Sequence, residues 1–271
     1  MRTTSKIAVV VSVLVASGAA PAAAASARTA PAYVAYHDVS AAENVKQVRR
    51  LKDQGYRPLT VNVSDGERYA AIWAKNAKGG SWSVWQGLSV SDYRQRFDAA
   101  LKEGAQPVSV SATGPAGSAV FTAVFEKKAG KFYARHHLTG SEFAAADKYA
   151  TGQGLALTSV DAYGTSDDVR YVAVWATNPG GAWSFTYGQS RSLHEAEFHA
   201  RKDKGFRPVR VAVAPDGTYA AVWRKDGLKS WAHYIDMSAA GYQARFDQLK
   251  GKGLHPVQVN AEGGRYAAVW E

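Results

Sequence analysis

The side chains with most scope for chemistry are the histidines, and among the seven in the chain only His136 and His137 form a close pair. Imidazole titrates near neutrality, so a metal site or an acid/base pair is the chemistry to test. Adjacent residues on a strand point to opposite faces, which keeps these two from easily sharing one metal ion. His37-Asp38 is a second neighbouring combination of the same kind. There is no His-x-x-x-His, no His-Glu-x-x-His and no Gly-x-Ser-x-Gly elbow. Phosphate-cradling glycine loops are missing too, and a chain without cysteine holds no disulfide, thiolate nucleophile or cysteine-ligated metal. Ser-His-Asp chemistry stays open, because triads are assembled in space. No catalytic residue, cofactor ligand or metal ligand is assigned from the sequence.

Aromatic residues are the other candidates. Trp73, Trp175, Trp223 and Trp270 recur in one setting, and Trp82, Trp183 and Trp231 in another. Residues repeated this way serve the scaffold and are expected in the core, each burying on the order of 150–250 Å². Trp85 and Tyr163 do not recur. The candidate ligand-binding residues are therefore Trp85, His136, His137 and Tyr163.

What positions them is an internal repeat. Tyr69-Ala70-Ala71-Ile72-Trp73 returns as Tyr171–Trp175, Tyr219–Trp223 and Tyr266–Trp270, with a weaker copy at Phe121–Phe125. A second marker, Gly55-Tyr56-Arg57-Pro58, has copies starting at Gly104, Gly154, Gly205 and Gly253, which are 49, 50, 51 and 48 residues apart. A Ser or Thr stands 15 residues before each of these glycines: Ser40, Ser89, Thr139, Ser190 and Ser238. These are helix N-cap signals, with capping boxes expected at Ser40/Glu43 and Thr139/Glu142 and a shorter variant at Ser89/Asp92. The glycine suits the left-handed residue after the helix.

Each unit reads as strand, helix, strand, strand. Opening strands are expected at Tyr33–His37, Trp82–Gln86, Phe132–His136, Trp183–Tyr187 and Trp231–Ile235. The two later strands form a hairpin, and alternation in runs such as Leu59–Val63 predicts one buried and one wet face. The sequence order suggests three-stranded meanders that straddle unit boundaries. Tyr33–His37 would then complete the final hairpin, closing an α+β, propeller-like toroid without free sheet edges. The alternative is an open solenoid. The expected boundaries within a single domain, 32–271, are 33–80, 81–130, 131–181, 182–229 and 230–271. The tips 111–118 and 162–168 depart from the common pattern, and such loops often carry function.

Arg2 and Lys6, the apolar run from Ile7 to Ala16 and Ala25-Ser26-Ala27 read as a signal peptide over 1–27. A secreted protein is expected, without a membrane span after cleavage. The formal charge is +10, of which Arg2 and Lys6 supply two. The remaining charges are spread out, with no block of five like charges. Nucleic acid is not expected as a partner, and a monomer is.

The combination of Gly-Tyr-Arg-Pro, Tyr-Ala-Ala-Ile-Trp and a Ser-capped helix with Tyr93-x-x-x-Phe97-Asp98 or Tyr242-x-x-x-Phe246-Asp247 resembles a known bacterial tandem repeat. It is the repeat of the amino-terminal part of polyglycine-hydrolase-like proteins, and the resemblance covers about 32–271. In that family the repeats accompany a β-lactamase-type hydrolase domain with a Ser-x-x-Lys nucleophile. No Ser-x-x-Lys follows the signal segment here, so no catalytic residue is carried over. The resemblance implies a non-catalytic binding or scaffold module, recognising a cell-wall polymer or peptide. The alternative is a secreted hydrolase with its site on the toroid face.

Overall fold

The computed structural model describes residues 32–75 and 80–271. The signal segment predicted over 1–27 lies outside the described residues. Five similar units follow one another, each a strand, a helix and two more strands. The first contains β1 (Tyr33–Val39), α1 (Ala41–Asp53), β2 (Tyr56–Ser64) and β3 (Arg68–Lys75). The second has β4 (Trp82–Leu88), α2 (Val90–Lys102), β5 (Ala105–Thr113) and β6 (Val120–Lys127). The third has β7 (Phe132–Leu138), α3 (Gly140–Gly152), β8 (Leu155–Thr165) and β9 (Asp168–Thr177). The fourth has β10 (Ala182–Gln189), α4 (Arg191–Asp203), β11 (Arg207–Val213) and β12 (Tyr219–Lys225). The fifth has β13 (Ala232–Met237), α5 (Ala239–Lys250), β14 (Pro256–Glu262) and β15 (Arg265–Trp270).

The helices start and stop where local chemistry dictates. All five predicted caps accept a hydrogen bond from the backbone N–H three residues on, satisfying a donor that lacks a partner in the first turn. The reciprocal capping box forms fully only at Thr139/Glu142. At Ser40 the Glu43 carboxylate turns to Gln47 instead. Each helix is followed by its marker glycine in the left-handed region, with φ of +73° to +82°, where a Cβ would be strained.

Sheet pairing corrects the expected meander. The opening strand joins the hairpin of its own unit, giving the orders β1-β3-β2, β4-β6-β5, β7-β9-β8, β10-β12-β11 and β13-β15-β14. Tyr33–His37 therefore does not complete the final hairpin, because β13 already occupies that place beside β15. The helix supplies the reason. Its 12 or 13 residues carry the chain back over the sheet, so the hairpin's last strand inserts between the first two. The repeated Tyr-Ala-Ala-Val-Trp strand is central in each sheet, as expected. Trp73, Trp175, Trp223 and Trp270 are fully buried. Trp73 packs on Trp82 of the next unit, with ring centroids 5.7 Å apart.

A second correction concerns the wet face of the inner strands β2, β5, β8, β11 and β14. Asn62, Ser111, Asp161 and Asn260 sit there, all buried. Inner strands of adjoining units do not pair, so their inward N–H groups need other acceptors. Side chains supply them. Ser111 Oγ accepts from Val63 N at 3.0 Å, Asp161 Oδ2 from Ala112 N at 3.1 Å, and Asn260 Oδ1 from Val213 N at 2.7 Å. The last unit reaches the first in the same way, with Asn62 Oδ1 accepting from Ala261 N at 2.9 Å. In the fourth unit this position is Ala212, and Ala162 N turns to Asp161 Oδ1 at 2.9 Å instead.

Candidate functional site

The unit helix does more than cover its own sheet. In four of the five seams the residue four places after the helix cap meets Gln86, His136, Tyr187 or His37 on the next opening strand. Asn44 Nδ2 donates to Gln86 Oε1 at 2.7 Å. The Phe143 and Tyr187 rings lie 5.5 Å apart, and so do Tyr93 and His136. Tyr242 of the last unit meets His37 of the first at 5.0 Å. Most of these seams are filled. In the last one Gln243, one residue after Tyr242, bridges to His37 at 3.2 Å. The fourth seam holds His194 and His233, with Nε2 atoms 2.9 Å apart.

The seam between α2 and β7 stays open, leaving a cleft of about 480 Å³. Val90, Tyr93, Arg94, Phe97 and Asp98 line it from the helix, and Ala134, Arg135, His136 and His137 from the strand. Two local differences account for the opening. Ala134 is small where the next unit places Phe185. Arg94 stands where Gln243 bridges, and it makes no hydrogen bond or ion pair among the described residues.

His137 is the most constrained residue of the cleft. Each opening strand carries a bulge, and the bulged residue takes a left-handed conformation. Glycine or aspartate fills that place elsewhere: Asp38, Gly87, Gly188 and Asp236. His137 alone puts a large side chain there, with φ +65°, at a cost on the order of 1–2 kcal/mol. Tyr163 holds it. The phenolic oxygen accepts from His137 N at 3.0 Å and lies 2.9 Å from Nδ1. With no other partner among the described residues, the phenolic hydrogen goes to Nδ1. Nε2 then carries the imidazole proton as a donor. Strain kept by a dedicated partner is a mark of a functional site.

His136 is half-buried against Tyr93 and Phe121. Burial, followed by the nearby His137, Arg94 and Arg135, pulls its pKa down to about 4. It is neutral at physiological pH, and its buried Nδ1 has no hydrogen-bond partner. The cleft therefore combines neutral imidazole, two arginines and one aspartate between aromatic walls. Among the described residues, no three His, Asp or Glu side chains are grouped to hold a metal ion.

The structure brings three of the four candidates together. His136 and His137 line the cleft. Tyr163, expected to touch ligand, is instead fully buried beneath His137, because the extended β8–β9 hairpin carries it into the core around Phe121. Trp85 lies apart. Its ring faces its own helix and is covered by Arg96, whose guanidinium carbon is 4.0 Å from the ring centroid. Sequence reasoning missed Arg94, Asp98 and Arg135. A comparison restricted to the residue after the helix's inward aromatic would have flagged Arg94.

The conformation gives a test that separates function from packing. We expect His137→Gly to stay within about 1 kcal/mol of the parent in urea unfolding, because relief of the left-handed strain offsets the lost Tyr163 contact. A loss above about 2 kcal/mol would make the imidazole a structural part.

A sequence model described as the polyglycine hydrolase-like structural repeat matches the chain five times, over residues 30–76, 79–128, 129–178, 180–226 and 229–271.

Proposed function

The chain belongs to the polyglycine hydrolase-like structural repeat family, and on that premise we propose that it is an exported, non-catalytic binding module. It acts as a monomer that recognises a cell-wall polymer or peptide through the α2/β7 cleft. We further propose that its five units close into a propeller-like ring. Contacts between the last and first units support closure, since the Asn62–Ala261 bond and the Tyr242–His37 packing repeat bonds made between consecutive units. Tyr33 also packs on Phe246 and His255 of the last unit, with centroids 6.2 and 5.5 Å away. An open solenoid would leave these faces unpaired. Export rests on the signal-like segment over 1–27.

The observation that carries the binding role is His137, held in a left-handed conformation at the mouth of the open α2/β7 seam. A repeat needs nothing there beyond Gly or Asp, as the other four units demonstrate. Ala134→Phe tests the reading by filling the cleft with the side chain that Phe185 already provides in the next unit. Wall material and glycine-rich peptides should be retained by the parent at physiological salt. The variant should keep its melting temperature within a few degrees and lose at least ten-fold in affinity. Equal retention by the two proteins, or none by the parent, would sink the proposal.

A further inference from the structure

The side chains that do not repeat in the third unit collect around β7. Tyr133 stands where the other opening strands have Val34, Ser83, Ser184 and Ala232. Tyr149 on α3 occupies a place that is Arg50, Ala99, Ala200 and Gln248 elsewhere. Resting on the binding role proposed above, we infer that this face recognises an acidic polysaccharide, a glycan bearing uronate carboxylates.

Two features point to such a ligand. The first is a stacking shelf. The Tyr133 and Tyr149 rings lie 5.0 Å apart at 52°, and Tyr149 is 56% exposed. Open hollows of about 520 and 370 Å³ share this pair as a wall. A pyranose presents a flat C–H face that suits a tyrosine ring, and its hydroxyls suit the phenolic edge. The hollows are open, so they fit a ring laid flat better than a peptide side chain that needs enclosure. Glu142 also borders one hollow, its carboxylate committed to the Thr139 cap at 2.8 Å.

The second feature is the charge beside the shelf. Arg135 stacks on Tyr133, 4.9 Å from the ring centroid, and its Nε donates to the Tyr133 hydroxyl at 2.7 Å. It borders both the nearer hollow and the cleft, so one guanidinium adjoins the two. Neither Arg94 nor Arg135 has a carboxylate partner among the described residues. Planar guanidinium groups match carboxylate geometry, and the His137 Nε2–H adds a further donor. Asp98 lines the cleft too, and it sets the end that a carboxylate avoids. A sugar on the tyrosines would thus lie beside a carboxylate site.

Calorimetric titration of the full chain provides the test, using galacturonate and glucuronate tetramers, their methyl esters, N-acetyl-triglycine and inorganic phosphate. At least one uronate should bind, with its ester ten-fold weaker or worse. Arg94→Ala should make acid and ester equal. Tyr149→Ala should weaken both by the same factor, which loss of fold would not do if melting is unchanged. Esters that match the acids, no uronate binding, or tighter binding of phosphate or tripeptide would overturn the inference. If the tripeptide binds and Ala134→Phe abolishes it, the cleft remains a binding site and only the glycan assignment falls. If wall material, peptides and uronates all fail, both readings fall.

Discussion

Glu262→Gln is expected to stabilise the protein at alkaline pH, by on the order of 3–5 kcal/mol at pH 8. Glu262 is almost fully buried at the end of β14. Burial raises its pKa to about 9, and the neighbouring Asp65 and Asp161 add to the shift. Thr113 Oγ1 lies 3.1 and 3.0 Å from its two oxygens. The sign follows from linkage. The unfolded chain releases this proton near pH 4.5, whereas the folded one keeps it until about pH 9. Folding stability from this group therefore falls as pH rises across that window. Glutamine has the shape and hydrogen-bonding capacity of the protonated acid and does not titrate. Urea midpoints for the two proteins should coincide near pH 4.5 and diverge up to pH 9. A constant gap, or a less stable variant at pH 8, would refute the account.

The second large effect runs the other way with pH. In the fourth seam, His194 and His233 face one another through Nε2 atoms 2.9 Å apart. His233 Nδ1 lies 3.2 Å from the Ala268 carbonyl, so it donates there and its Nε2 accepts from His194. Burial lowers both pKa values, to about 4 for His194 and about 3 for His233. The like charge of His194 adds to the lowering at His233, while Glu195 and Glu197 oppose it at His194. The unfolded chain takes up protons below about pH 6.5, and the folded pair resists until pH 3–4. Stability from the pair is complete above pH 6.5 and is lost as pH falls through that window, by on the order of 5 kcal/mol at pH 4. The protein offers its own replacement. His194→Tyr with His233→Ala reproduces the Tyr242–Ala35 combination of the seam between the last and first units. This double variant should unfold at much lower pH than the parent, with equal stability at pH 7.5. Matching acid profiles would show that the pair contributes nothing to acid sensitivity.

Together these two effects place the stability maximum near pH 6. Above it stability keeps falling as Glu262 loses its contribution up to about pH 9 and Asp161, whose pKa burial raises to about 7, up to about pH 7. Below it His136, His194 and His233 oppose folding instead.

Periodicity and capping made much of the fold legible from the residues alone. Five copies of one aromatic strand, five caps and five glycines at one spacing defined the unit, since these signals act within a few residues of themselves. The family followed from the same repeats. Pairing did not follow, because β1 could have joined either the hairpin behind it or the one ahead. That choice depends on where a helix lays its chain across a sheet. Nor could alternation on the inner strands tell a wet face from a packed one. Asn62, on the wet face expected of Leu59–Val63, is instead buried, because a neighbouring unit supplies the N–H group it satisfies.

The site divides the same way. The sequence by itself singled out His136 and His137 as a close histidine pair, and Trp85 and Tyr163 by their failure to repeat. Only the tertiary structure decided their roles, because it set the hairpin that buries Tyr163 and the bulge that strains His137. It also opened the cleft, through the absence of a large side chain at Ala134 on one unit and of a bridging one at Arg94 on another. A void has no residue of its own in the sequence. It exists only when two units, some forty residues apart in the chain, are packed together.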